Sequence, residues 1–199
     1  MYVFCSDVEG VWIPEVWINV AKITGIDDLK LTTRDISDYS VLMKHRIKIL
    51  KEHNLTLKDI QNVIATIEPM EGANKMLSWI RSVAQIHMVS DTFVEFATPL
   101  MAKLGYPSLF CNFLTIGETG MVEGYNLRQK DQKREVVKAM KYLNYQVVAF
   151  GDSYNDISML KEADVGILFR PPQSVIDDHP QFPVVNNYEE LKKLLVNYI

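Results

Sequence analysis

Apolar residues run without interruption into a pair of carboxylates at the start of the chain. The run begins at Tyr2, and Asp7 and Glu9 follow it before the chain reaches Gly10. Continuous apolar runs are typical of strands covered on both faces of a parallel sheet, and ligands in such sheets bind beyond the carboxyl ends of the strands. The pattern therefore predicts a buried strand that ends in two acids on the same side. A short edge strand with solvated acids also fits.

From Pro14 to about Met70 the hydrophobic positions follow a helical period. The predicted helices run from Pro14 to Gly25, from Ser37 or Asp38 to about His53, and from the capping box at residues 56–59 to about Ile67. Proline suits the first helical position, and glycine suits the position after the last turn. Because we find no convincing strand in this stretch, the sequence predicts a helical insertion after the first strand.

After Met70 the pattern alternates between strands and helices. Strands are predicted at residues 85–89, 146–150 and 165–169, with an extended segment at 182–185. Helices are predicted at about 72–83, from 90–92 to about 104, from the charged segment 128–134 to about 143, and from about 188 onward, with a β-hairpin over 114–127. Alternation of this kind is typical of an α/β fold with a parallel sheet.

Polar side chains follow three of the predicted strands. Asp7 and Glu9 would repel each other unless a proton or cation lies between them, and Mg2+ is the natural cation for such oxygen ligands. Ser90 is either a helix N-cap or part of a phosphate-binding site, since the N–H groups of a first helical turn attract anions. Asp152 follows the third of these strands, and Asp156 lies in or near the first turn of the next helix. Acids and small polar residues are also common in ordinary turns of this type.

Composition narrows the function classes. The 199 residues carry a net charge of −4 and are 48% hydrophobic, and a basic stripe typical of nucleic-acid binding is absent outside one helix. No run approaches the roughly 20 apolar residues of a membrane span. Cys5 and Cys111 are expected to be reduced packing residues. We therefore expect a cytoplasmic protein without nucleic-acid or membrane partners; the oligomeric state stays open, a homodimer included.

The order of these motifs resembles that of the haloacid dehalogenase superfamily. The shared pattern is Asp7-x-Glu9 after one strand, Ser90 after the next, a lysine before a helix, and the run 151–156 after a third strand. Members are mostly Mg2+-dependent phosphatases and phosphotransferases. The resemblance implies a Rossmann-like doubly wound parallel sheet formed by residues 1–13 and 71–199. The helical insertion, residues 14–70, is similar to the small cap of the phosphoserine phosphatase branch.

Four runs narrow the resemblance further. Residues 7–11, 32–36, 89–93 and 151–156 are similar to those of the bifunctional phosphoserine phosphatase/homoserine phosphotransferase type. Most of the superfamily has aspartate as the second carboxylate, whereas this type shares Glu9. The resemblance thus implies hydrolysis of phosphoserine and transfer of its phosphoryl group to homoserine.

Roles for the catalytic residues follow from the resemblance. It implies that Asp7 is the nucleophile, that Glu9 is the general acid and then the general base, and that Asp7, Asp152 and the backbone carbonyl of Glu9 hold Mg2+. Lys133, with Ser90, is expected to bind the transferring oxygens. We choose Lys133 over Lys130 because residues 134–137 resemble the family's helix start. Asn155 and Asp91 are assigned to substrate binding, and Asp156 to orienting ligands and water around the metal.

Substrate recognition is expected in the insertion. Arg46 lies at the border of an apolar helix face, where an arginine usually lays its stem along apolar surface. Its planar donors also match a carboxylate. The family resemblance implies that Arg46 binds the substrate carboxylate, that Glu15 meets the ammonium and that Tyr39 shapes the pocket.

Two other functions remain open from the residues. The chain could be a capped phosphatase for another small phosphomonoester. It could also be a receiver-like switch in which phosphorylated Asp7 is a long-lived signal. Against this, Glu9 supplies an acid-base group, which would speed the loss of the phosphoryl group.

Overall fold

The computed structural model describes residues 1–32, 35, 36 and 38–199 and contains one seven-stranded sheet. The strands are β1 (Tyr2–Ser6), β2 (Gln85–Phe93), β3 (Ser108–Ile116), β4 (Val122–Asn126), β5 (Gln146–Gly151), β6 (Val165–Phe169) and β7 (Val184–Val185). Their order is β4-β3-β2-β1-β5-β6-β7. The β3–β4 pair is antiparallel and the other pairs are parallel. The predicted α/β fold is confirmed.

Helices surround the sheet. They are α1 (Val16–Thr24), α2 (Tyr39–Glu52), α3 (Leu57–Ile64), α4 (Ala73–Val83), α5 (Val94–Lys103), α6 (Gln132–Tyr142), α7 (Ile157–Glu162), α8 (Gln173–Asp178) and α9 (Tyr188–Leu195). Short 3-10 turns cover Asp27–Lys30, Tyr154–Asp156 and Val196–Tyr198. Among the described residues, no helix is both long and apolar enough to cross a bilayer.

The two faces of the sheet have separate apolar cores because side chains alternate along each strand. Phe4 faces a core that includes residues of α1, α3, α4, α5 and α9. Val3 and Cys5 face a second core with residues of α6, α7 and α8. The central strand is therefore buried on both sides, which explains its unbroken apolar run.

The inserted helices have clear local signals at their ends. Asp38 caps α2 by accepting hydrogen bonds from the N–H groups of Ser40 and Val41. Thr56 and Asp59 form the reciprocal capping box at the start of α3. Gly25 ends α1 with φ of 74°, a left-handed conformation that glycine adopts at low cost. The predicted helices are thus present, although α1 begins two residues after Pro14 and α3 ends at Ile64.

One prediction for the segment after Met70 was wrong. Residues 90–92 do not open a helix, because β2 continues to Phe93 through a register shift and α5 begins at Val94. The hairpin predicted over 114–127 is confirmed as the antiparallel pair of β3 and β4, although β3 already begins at Ser108. The proline-rich connection also contains the short helix α8, which begins after Pro172.

The insertion packs against the carboxyl side of the sheet. Gln61 of α3 donates a hydrogen bond to the Glu95 carbonyl (2.8 Å). Lys103 of α5 donates to the carbonyls of Ala65 and Ile67, at 2.7 and 2.9 Å. The N–H of Leu57 donates to the hairpin between β3 and β4. These contacts hold the helices over the strand ends that carry the polar motifs.

Candidate active site

The carboxylates of Asp7, Asp152 and Asp156 converge at the carboxyl edge of the sheet. One oxygen from each lies within 4.8 Å of the others, and all three side chains are buried. Asp7 follows β1 and Asp152 follows β5, and these strands are parallel neighbours. The N–H of Asp7 also donates to the Phe150 carbonyl at 3.0 Å. The sheet itself therefore brings the two distant motifs together.

A tight turn after Asp7 leaves room for Asp152. Gly10 has φ of 74°, and a Cβ at this position would lie 2.5 Å from the Asp152 carboxyl group. The turn is closed by a hydrogen bond from the Trp12 N–H to the Val8 carbonyl (2.9 Å). It is also braced from the end of the chain, where the buried Tyr188 hydroxyl donates to the Val11 carbonyl (2.5 Å). Glycine is required here both for the backbone conformation and for the close approach.

Lys133 lies against two carboxylates of the acidic cluster. Its Nζ is 3.0 Å from Asp7 Oδ1 and 2.7 Å from Asp156 Oδ1, and the residue is 2% exposed. Burial alone would lower the pKa of Lys133, but Asp156 and Asp7 raise it well above its usual value. The ammonium is therefore charged beside Asp7. Lys130, the alternative from the sequence, is exposed.

Asp156 is fully engaged by the protein. Lys133 contacts its Oδ1, while its Oδ2 accepts hydrogen bonds from the N–H groups of Asp152 and Ser153 at 2.9 and 3.1 Å. A Cβ on Gly151 would overlap this carboxyl group, so glycine is needed for the turn to close. Asp156 thus orients the Asp152 loop and Lys133.

The charges of this cluster do not balance. Burial and the neighbouring Asp156 carboxylate raise the pKa of Asp7 well above its usual value, against the opposing effect of Lys133. Burial and Asp156 likewise raise the pKa of Asp152 to about 7. Three buried carboxylates beside one ammonium favour an additional cation. Oxygen donors of this kind suit Mg2+, so the residues fit the metal that the sequence predicts.

Glu9 points away from this cluster, toward the insertion. Its Oε2 accepts a hydrogen bond from the N–H of Val16 at 2.8 Å, and the Glu15 carboxyl group is its electrostatic neighbour. Burial and the adjacent Glu15 raise the pKa of Glu9 to about 8. With a pKa of about 8, the Glu9 carboxyl group carries a proton at neutral pH and can act as an acid.

Ser90 and Asp91 are held by side chains from several elements. Gln132 Nε2 donates to the Ser90 carbonyl (2.9 Å) and to Asp91 Oδ1 (3.0 Å). Asn155 donates to Asp91 Oδ2 at 3.0 Å. The Asp91 carbonyl accepts from the Tyr39 hydroxyl (3.1 Å). The irregular end of β2 is therefore fixed beside Lys133, whose Nζ is 3.8 Å from Asp91 Oδ2.

Arg46 is buried within the insertion. Its guanidinium carbon lies 4.6 Å from the centre of a Trp17 ring, and its Nη2 donates to the Leu31 carbonyl at 2.9 Å. Burial lowers the pKa of Arg46 to about 10, while the nearby Tyr39, Glu9 and Glu15 oppose that shift. The arginine is 6% exposed. It is therefore not a snorkelling surface residue.

The structure thus brings the predicted residues into one region. The carboxylates of Asp7, Asp152 and Asp156 lie together, and Lys133 contacts the first and the last of them. Asp91 links the end of β2 to Asn155 and Tyr39. Within the motif at residues 32–36, residues 33 and 34 lie outside the described residues. Ser90 itself is 2% exposed, and its Oγ accepts a hydrogen bond from the N–H of Thr92 (3.2 Å) rather than capping α5.

Sequence reasoning missed three residues that support this region. Gln132 lies in the charged segment 128–134 that begins a predicted helix, but it is buried against Ser90 and Asp91. The fully buried Asn112 donates to the Asp91 carbonyl at 3.2 Å. Trp17 belongs to an apolar helix face and gave no signal of its contact with Arg46. Asn112 could have been found from the sequence, because it is the polar residue in the apolar stretch 109–114 and a buried amide needs hydrogen-bond partners.

Comparison with known proteins agrees with this geometry. The sequence profile of the haloacid dehalogenase-like hydrolases matches residues 12–164, which include Ser90, Lys133 and Asp152. The chain is a haloacid dehalogenase-like hydrolase. The matched segment begins after Asp7 and Glu9. The structure, and not the profile, shows that Asp7 lies beside Asp152.

Two curated relatives align over nearly the whole hydrolase. Phosphoserine phosphatase ThrH of Pseudomonas aeruginosa is 56% identical over 193 residues, covering 97% of this chain and 94% of the relative. A phosphoserine phosphatase of Pseudomonas syringae pv. tomato is 55% identical over 189 residues, covering 95% of this chain and 80% of the relative.

Solved structures show the same fold at lower identity. A phosphoserine phosphatase in apo form superposes with a TM-score of 0.78 at 20% identity, covering 99% of this chain and 98% of the other. A structure described as a phospho-aspartyl intermediate analogue of phosphoserine phosphatase gives a TM-score of 0.79 at the same identity and coverage. The arrangement of sheet and inserted helices is therefore shared with these proteins.

Proposed function

We propose that the hydrolase is a Mg2+-dependent phosphoserine phosphatase that acts through an aspartyl-phosphate on Asp7. The observation that carries the proposal is the buried contact between Asp7 and Lys133 at the end of β1, next to Asp152. The two Pseudomonas relatives carry the phosphoserine phosphatase name over almost the full chain. Residues 1–13 and 71–199 form the catalytic core in this proposal, and residues 14–70 form the cap that selects the substrate.

We assign the metal ligands from the carboxylate oxygens that protein donors do not already occupy. Asp156 is occupied by Lys133 and by two backbone N–H groups. Asp7 and Asp152, together with the backbone carbonyl of Glu9, would therefore hold Mg2+. Bound there, the cation offsets the negative charge shared by a carboxylate nucleophile and a phosphate dianion.

Asp7 is the nucleophile in the first step. Lys133 and the Val8 N–H contact its Oδ1, at 3.0 and 2.7 Å, and Oδ2 has no hydrogen-bond partner among the described residues. An Asp7 oxygen forms a bond to phosphorus while the bond from phosphorus to the serine oxygen breaks. Glu9 gives its proton to that leaving oxygen. Lys133 and the Ser90 region bind the phosphoryl oxygens as charge develops on them.

The second step regenerates Asp7. Glu9, now a carboxylate, removes a proton from water as the water oxygen attacks phosphorus, and the bond from phosphorus to Asp7 breaks. Homoserine can replace water if its carboxylate and ammonium occupy the site that serine has left, since positioning can outweigh the concentration of water. The products are then phosphate or phosphohomoserine.

Substrate recognition belongs to the cap. Arg46 supplies donors for the substrate carboxylate, Glu15 an acceptor for the ammonium, and Tyr39 a wall that is hydrogen-bonded to the Asp91 carbonyl. Asp91 and Asn155 keep the phosphate side of the pocket in place through their mutual contact. Small phosphorylated amino acids are therefore the proposed substrates. The free buried thiols Cys5 and Cys111 fit a cytoplasmic location.

The test is a product analysis. The protein is incubated with Mg2+ and phosphoserine, with and without homoserine, and the products are identified by mass. Release of serine and phosphate supports the phosphatase, and phosphohomoserine formed only with homoserine supports the transferase. Hydrolysis of other small phosphomonoesters without phosphoserine turnover would point to a different capped phosphatase. An aspartyl-phosphate that persists for many minutes with Mg2+ would point to a switch.

A further inference from the structure

Arg46 has a donor that the protein leaves open. Its Nε atom is buried and has no hydrogen-bond partner among the described residues, although Nη2 donates to the Leu31 carbonyl. Buried N–H groups in folded proteins are almost always paired, and leaving one unpaired is costly. An open donor on a residue that is 6% exposed therefore indicates an acceptor that arrives with a ligand.

Trp17 fixes the plane of this guanidinium. The Arg46 Cζ lies 4.6 Å from the centre of a Trp17 ring, where an arginine is attracted by the ring face. The Leu31 carbonyl fixes the rotation of the group within that plane, because the hydrogen bond to Nη2 is directional. The ring and the carbonyl together decide where the open Nε edge points.

Trp17 is itself held by the catalytic core. Its ring packs edge-on against Phe96 of α5 at 5.5 Å, and Phe96 packs edge-on against Phe93 at 5.7 Å. Phe93 ends β2, the strand that carries Ser90. The aromatic contacts thus connect the phosphate side of the site with the guanidinium in the insertion.

We propose that Trp17 is a specificity-determining positioning residue that sets the orientation of Arg46 for the carboxylate of the substrate. The inference rests on the proposed function, since it assumes that Arg46 binds that carboxylate. Trp17 acts through Arg46 and does not itself contact the reacting atoms. Its loss is therefore expected to weaken recognition of the carboxylate and to leave phosphoryl transfer intact.

The experiment compares two substrates that differ in one group. Phosphoserine has the carboxylate and phosphoethanolamine lacks it. For Trp17→Leu we expect kcat/KM for phosphoserine to fall about threefold to thirtyfold, mainly through KM, which is the range of a lost cation–π contact. The value for phosphoethanolamine should change by less than about twofold, and Trp17→Phe should recover most of the loss because a ring face remains.

A double-mutant cycle and a control make the test specific. In an Arg46→Ala background, Trp17→Leu should have no further effect on phosphoserine, since coupled residues are not additive. Trp79→Leu is the matched control. Trp79 lies on α4, outside the insertion, and the centre of its ring is 4.8 Å from the Nζ of Lys192. That variant should keep the wild-type preference for phosphoserine.

The outcomes separate the two proposals. Equal losses on both substrates, or effects of Trp17→Leu and Arg46→Ala that simply multiply, would overturn the role of Trp17. A wild-type enzyme that prefers phosphoethanolamine or treats both substrates alike would instead refute carboxylate recognition in the proposed function. Thermal unfolding of each variant checks the fold, and Trp17→Phe keeps the test decisive if Trp17→Leu fails to fold.

Discussion

The ammonium of Lys133 lies 3.0 Å from the carboxylate of Asp7, although the two residues are 126 positions apart in the chain. The same ammonium is 2.7 Å from Asp156. The lysine lies on helix α6 and the aspartate directly follows strand β1, so the contact exists only in the assembled fold. It joins the proposed nucleophile to the group that would bind the transferring phosphoryl oxygens.

Lys133→Met should abolish most of the activity. The loss of a preorganised cation beside the phosphoryl group is expected to reduce kcat by at least about 100-fold. The variant should also lose about 3 kcal/mol of unfolding free energy, because it leaves buried carboxylates uncompensated. Steady-state kinetics and urea unfolding measure the two effects. Lys130→Met is the matched control, since Lys130 is exposed; similar losses in both variants would contradict the assignment.

Gly10→Ala should damage the metal site. The new methyl group would lie 2.5 Å from the Asp152 carboxyl group at a position with φ of 74°. Gly25→Ala is a close control, because Gly25 has the same φ and, among the described residues beyond its chain neighbours, no atom lies within 4 Å of the place that a Cβ would take there. We expect Gly25→Ala to cost about 1 kcal/mol of stability from backbone strain alone and to keep full activity.

Gly10→Ala should cost more stability than that control and should also require a much higher Mg2+ concentration for half-maximal activity. Thermal unfolding and a Mg2+ titration of turnover are the measurements. If the two variants behaved alike in both assays, the close approach of Gly10 to Asp152 would have no functional role.

Glu9→Gln should separate the two chemical steps. Phosphoserine has a poor leaving group that needs a proton, so its turnover should fall about 100-fold or more. A phosphate ester with an acidic phenol as leaving group needs no proton, and the phosphorylated enzyme should then accumulate because the second step lacks a base. A rapid-quench burst of phenol release shows this. Equal slowing of both substrates in the first step, without a burst, would remove Glu9 from proton transfer.

Mg2+ should raise the unfolding temperature of the wild-type protein in a concentration-dependent way, because a ligand that binds the native state stabilises it. Asp152→Asn should remove most of this rise, since it deletes a proposed ligand and part of the excess negative charge. Differential scanning calorimetry over a range of Mg2+ concentrations provides the test. An undiminished Mg2+ response in Asp152→Asn would place the cation elsewhere.

The sequence could predict the strands that bear the site because they are buried on both faces. The apolar runs before Asp7 and Asp152 are typical of such buried strands, and the acids that follow them mark the carboxyl edge of the sheet, where ligands bind. The order of the motifs then pointed to the family, which the sequence profile and the relatives confirm.

Other features depended on tertiary contacts that leave no local pattern. Ser90 resembled a helix cap, but side chains of Gln132 and Asn112 hold β2 in an extended, irregular path past that position. Helix α8 is only six residues long and follows Pro172, so it lacks a full hydrophobic period. The contact between Trp17 and Arg46 joins two inserted helices, and only the packing of those helices reveals it.

The most direct test of the account is the detection of the covalent intermediate on Asp7. The protein is mixed with Mg2+ and phosphoserine, quenched in acid within milliseconds to seconds, and digested for mass spectrometry. The account predicts one added phosphoryl group on the N-terminal peptide at Asp7, and none in Asp7→Asn, which should also have lost turnover. Turnover near the wild-type rate in Asp7→Asn, with Mg2+ present, would contradict it.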